Sequence, residues 1–146
     1  MLARCLSLAA ICAMCSVLPV WAHHSHGNYD LTKWTTMEGT VKEVHLLVPH
    51  SWIYLDVTDD KGQPITWALE ATGPGGLQRA GIKREDVKPG DSVKVRCHVL
   101  RDGSNGCLLG FTTPLHGDAA RGHGVEKDWD GGGGAGTPPP GTPAPR

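Results

Sequence analysis

Through the middle of the chain, apolar and polar residues alternate at the period of two that a half-buried strand requires. Residues 38–48 are rich in strand formers, with Val44, Leu46 and Val48 set against Glu43, His45 and Leu47. Pro49 and His50 interrupt the run. In 51–58, Ile53, Leu55 and Val57 fall on one face and Trp52, Tyr54 and Asp56 on the other. After the turn at 59–62, residues 64–70 make a third strand with Ile65, Trp67 and Leu69 facing inward. Gly73-Pro74-Gly75-Gly76 ends the sheet run, and Leu77-Gln78-Arg79-Ala80 reads as a short helical turn. Beyond a turn at 86–91, a fourth strand at 92–100 places Val93, Val95, Cys97 and Val99 on one face. A fifth, 106–113, does the same for Cys107, Leu109 and Phe111. The order predicts a mainly β fold, either a five-stranded OB-like barrel or a small open sandwich, with one short helix between strands 3 and 4.

The flanks lack this pattern. Residues 23–37 are polar and aperiodic, which predicts a histidine-rich arm; 38–116 form the β domain. Residues 117–146 lose the core signal, and 131–146 are almost wholly glycine, proline, threonine and alanine. Such a composition buries too little apolar area to offset chain entropy, so 117–146 is expected to be a disordered tail.

The first 22 residues have a different pattern. A positive start at Arg4, an apolar run over 6–18 and small residues at Val20 and Ala22 predict a signal peptide. Cleavage after Ala22 would make His23 the first residue and place the protein in the periplasm. The apolar run is too short to span a bilayer, so no membrane span is expected. Formal net charge is −1 for the whole chain and −2 once Arg4 is gone. With no basic run and few aromatics, nucleic-acid binding has no support.

Cys97 and Cys107 are the two cysteines outside the signal, and an even pair in an oxidising compartment predicts one disulfide. Both share the apolar parity of their strands, so the bridge would cross the hairpin that closes at 101–106.

All eight histidines lie after the signal, and His23, His24 and His26 stand at its boundary. A terminal amine with imidazoles suits copper or zinc, and copper sits highest in the affinity order. The amino-terminal copper motif needs histidine at the third position, where this chain has Ser25. A second site of attachment must come from the fold. His50 at a strand entrance is the first candidate, with His45 and His116 in reserve, and Glu70 could orient a ring as a carboxylate acceptor. No hydrolase, dinucleotide or calcium-loop pattern survives inspection, and nothing selects a reaction. The leading expectation is a non-enzymatic binding protein holding copper or zinc through His23, His24, His26 and His50. The competing one is an interaction module whose barrel face, with Trp52 and Tyr54, docks a protein partner or small ligand. An enzyme acting through an amino-terminal histidine brace is a third class, lacking identifiable substrate-facing groups.

Several segments together resemble a family of small exported bacterial proteins classed as a domain of unknown function. They are Ala22-His23-His24-Ser25, Glu38-Gly39-Thr40-Val41, Pro49-His50-Ser51-Trp52, Trp67-Ala68-Leu69-Glu70, Leu77-Gln78-Arg79-Ala80-Gly81 and Lys88-Pro89-Gly90-Asp91. Their shared order, over about residues 22–115, carries the likeness. Members usually have Asn-Pro-His where this chain has Val48-Pro49-His50. The resemblance implies an exported β-barrel-like domain and brings no established activity.

Overall fold

A computed structural model describes residues 26–131. Its strands are β1 (Thr35–His45), β2 (His50–Thr58), β3 (Pro64–Thr72), β4 (Ser92–Val99), β5 (Gly106–Pro114) and β6 (Lys127–Asp128), with helix α1 (Pro74–Arg79) between β3 and β4. Sheet order is β3-β2-β1-β4-β5-β6, and β3 also pairs with β5. That second pairing is parallel, matching Leu69 with Cys107, and it closes the first five strands into a barrel. The OB-like reading holds, with a sixth strand added.

The barrel interior is the predicted apolar parity. Ile53, Leu55, Leu69, Val93, Val95, Cys97, Cys107 and Leu109 are all fully buried. Cys97 and Cys107 stand at disulfide distance within this core, with Cα atoms 5.7 Å apart. Gly39 lies where β1 passes between its two partners. A Cβ there would stand 2.5 Å from the Asp56 carbonyl oxygen, so only glycine permits the approach.

Two bulges correct the simple alternation. On β1 the register runs Val41↔Leu55, then Glu43↔Tyr54, so Lys42 is the extra residue. The bulge lets both Val41 and Val44 meet the core although their spacing is odd. Val48, read as a strand residue, lies beyond the strand and is exposed. On β5 the register runs Arg96↔Phe111, then Cys97↔Leu109, which leaves Gly110 over. Phe111, expected beside Leu109, is thereby turned outward, and Thr112 takes the inward position. The Arg96 guanidinium lies 4.4 Å from the Phe111 ring centroid and also covers Trp34 at 5.5 Å, so the outer face acquires its own cation–π packing.

Both flanks depart from expectation. The tail assigned to 117–146 does not begin at 117. Residues 119–121 form a 3-10 turn, β6 pairs with β5, and Trp129 is buried in the core. The Trp129 N–H donates to the Gly110 carbonyl at 2.8 Å, and its own carbonyl accepts from Thr72 N–H at 3.0 Å. This segment therefore fills the gap where β3 and β5 diverge, using an indole that the Gly-rich neighbourhood disguised. Ion pairs anchor the same return: Arg96 with Glu126 through both carboxylate oxygens, Lys127 with Asp86, and Arg121 with Asp91. Burial pushes the Asp91 carboxyl up, but the Arg121 guanidinium and the Lys88 N–H outweigh it and hold the group low. The expected disorder of 132–146 lies outside the described residues, as does the signal peptide.

The part of the arm that is described, from His26 on, is packed against the barrel. Asp30 N–H donates to the Val99 carbonyl, Arg101 N–H to that of Asn28, and Tyr29 bridges to Leu100. Lys33 offers its carbonyl to His98 Nδ1 at 2.6 Å, which places the ring proton on that nitrogen. His98 then stacks under Trp34, with ring centroids 4.1 Å apart.

Candidate functional site

The polar cluster on the outer face is organised by Glu70. Near the end of β3, it pairs across the sheet with Trp52 and lies diagonally from His50. Its Oε1 stands 3.0 Å from His50 Nδ1 and its Oε2 accepts the Tyr29 hydroxyl at 2.5 Å. Each oxygen is thus taken by a different element, β2 on one side and the arm on the other. Burial pushes the Tyr29 phenol up, and the Glu70 carboxylate adds to the effect through both the hydrogen bond and its charge. Tyr29 therefore acts as a donor that stays protonated, and Glu70 as the acceptor.

An Nδ1–H donated to Glu70 leaves the imidazole lone pair of His50 on Nε2. This carboxylate–histidine arrangement is how proteins orient a ring for a metal or a proton. Glu70 was singled out from the sequence for such a role, and it does contact His50. Local sequence explains the placement. His50 opens β2 directly after the cis Val48–Pro49 bond. Gly73 packs against this turn so closely that a Cβ would meet the Pro49 carbonyl oxygen at 2.5 Å.

Beside the cluster is a cavity of about 290 Å³ lined by His26, Pro49, His50, Ala71, Thr72, Leu108 and Asp130. His26, from the histidine group, and His50, from the strand entrance, therefore line one cavity. His23 and His24 lie outside the described residues. Among the described residues no group of three or more His, Cys, Asp or Glu is arranged to hold a metal ion.

Trp52 and Tyr54 occupy the same outer face as His50, each half-buried. The proposed ligand face and the histidine cluster are thus one continuous surface. His45 lies along it, 2.8 Å from Glu43 Oε2 and edge-on to Tyr54. His116 serves elsewhere: its Nε2 meets the Asp86 carbonyl, and its Nδ1 accepts the Asp118 N–H. It clips the 116–123 loop beside His123.

Two contributors escaped the sequence. Tyr29 is one of two aromatics, with Trp34, inside a polar stretch, and that setting was its signal. Asp130 follows Trp129 in what read as tail, and a tryptophan so placed was the corresponding clue. Searches of curated proteins and of solved structures found no match for this chain. A family model matches residues 11–109, taking in His23, His24, His26, Tyr29, His50 and Glu70, and stops before Trp129. The chain belongs to that family, the family of unknown function DUF6152.

Proposed function

We propose that this is a periplasmic, non-enzymatic metal-binding protein that holds copper or zinc between its amino-terminal histidines and His50. The supporting observation is the double engagement of Glu70. One of its oxygens orients the His50 ring, and the other anchors Tyr29, three residues after His26. Docking Tyr29 delivers His26 to the cavity that His50 lines. Chain geometry then keeps His23 within about 10 Å of His26, since three residues reach no farther. The exposed amine of His23, its imidazole, that of His24 and the His50 ring would supply nitrogen donors suited to Cu(II) or Zn(II). His26 would stand beside them, and Glu70 would act on the metal only through His50.

The experiment is a Cu(II) titration of protein beginning at His23, against the same protein carrying one extra residue before it. One tight equivalent is expected for the first, with marked weakening in the second and in His50→Ala. Equal affinity in all three would overturn the reading.

The second reading is a docking module for a protein partner or small ligand. It draws on the half-buried Trp52 and Tyr54 beside the same cluster. In that case replacing His23 and His24 by alanine would leave the protein's biological role intact.

A further inference from the structure

A second cavity, independent of the histidine face, opens beneath α1. It measures about 250 Å³, and its walls are Val44 from β1, Leu46 just beyond it, Leu77 from α1, Ile82, Val87 and Trp129. The cavity is partly open to solvent, so these apolar side chains line a recess that water reaches but binds poorly for want of polar partners on the walls. An apolar group suits the space better.

The rim has a sign. Lys83, Arg84 and Gln78 also line the cavity, and no aspartate or glutamate does. Other cations nearby are matched, Lys127 to Asp86 and Arg121 to Asp91. Lys83 and Arg84 are exposed, and among the described residues neither has a carboxylate partner. An apolar chamber with a cationic lip fits a molecule with an apolar body and one anionic end.

We propose that this cavity binds a small amphipathic anion of the straight-chain carboxylate class, with its tail against Trp129 and Leu77 and its carboxylate at Lys83 and Arg84. A recess of this size, open at its lip, suits a chain of medium length, for which octanoate is the central probe. The ligand need not touch His50, so the site stands or falls apart from the metal reading.

The test is calorimetric titration of the full mature chain with hexanoate, octanoate and decanoate. Saturable 1:1 binding is expected, tightening about fourfold per methylene up to octanoate and levelling at decanoate as the chamber fills. The surface double variant Lys83→Gln/Arg84→Gln should weaken octanoate about tenfold while leaving octan-1-ol binding unchanged. Val44→Phe, which places a ring in the chamber, should abolish both, with thermal melting used to confirm folding. Absence of saturable octanoate binding, or equal octanoate affinity in the double variant, would overturn the proposal. So would octanoate binding only after residues 132–146 are removed, since the chamber would then be a berth for the chain's own tail.

Discussion

The two flanks of the barrel make a useful pair. Each is polar, lacks periodicity and contributes one buried aromatic, Tyr29 before β1 and Trp129 after β6. Their chemistry differs. Trp129 lies in the hydrophobic core and joins β5 to β3 by main-chain hydrogen bonds, so its contribution is to barrel closure. Tyr29 lies on the outer face, and its hydroxyl reaches a carboxylate that also holds a histidine. One flank completes the barrel and the other completes a polar cluster on its outer face. Similar sequence texture thus conceals two structural roles, one met by an indole packed into the core and the other by a hydroxyl that reaches a carboxylate.

The hardest test of this contrast removes the indole. Trp129→Ala should cost about 3–5 kcal/mol in urea denaturation, as expected for a large buried aromatic. Ending the chain at 116 removes β6 and Trp129 together and should be at least as damaging. Tyr29→Phe keeps the ring and loses only the hydroxyl, so stability should fall by about 1–2 kcal/mol. The change at the site should be the more visible, with Cu(II) binding weakened as the arm loses its hold on Glu70. A stability loss from Tyr29→Phe as large as that from Trp129→Ala would erase the distinction.

A pH experiment sharpens it further. The raised pKa of Tyr29 means that the folded state retains a proton the unfolded chain releases near pH ~10. Stability from this group is therefore full below that point and is lost as pH rises through the folded pKa. In an alkaline titration followed by phenolate absorbance, one of the two tyrosines should resist ionisation. Glu70→Gln should bring it down by removing the negative charge. The smallest expected effect is at Ser51, whose buried hydroxyl has no hydrogen-bond partner among the described residues. Ser51→Ala should raise the melting temperature slightly or leave it unchanged, since no hydrogen bond is lost and a desolvated polar atom is removed.

Much of the barrel was legible because alternation is a local property. β2 and β3 place Ile53, Leu55 and Leu69 inside and Trp52, Tyr54 and Glu70 on the opposite face, as the spacing required. The cysteine pair was readable for the same reason. Phe111 was misread because a bulge at Gly110 shifts register by one residue, and no period-two pattern announces where that happens. The flanks were misread because a single aromatic anchored by distant partners leaves no periodic trace. Within the site, His50 and Glu70 could be named from strand position and chemistry. Tyr29 could not, since its place depends on a contact across 41 residues. Asp130 depended on recognising that the chain returns to the barrel.

The docking of the arm also carries a temporal consequence. Tyr29 and Asp30 are seated by Val99 and Leu100, residues near the end of the fourth strand. A polypeptide emerging amino-terminus first must therefore deliver roughly seventy further residues before Tyr29 can be seated. Seating of the arm is thus a long-range event, coupled to the far end of β4 rather than to its own neighbours in sequence.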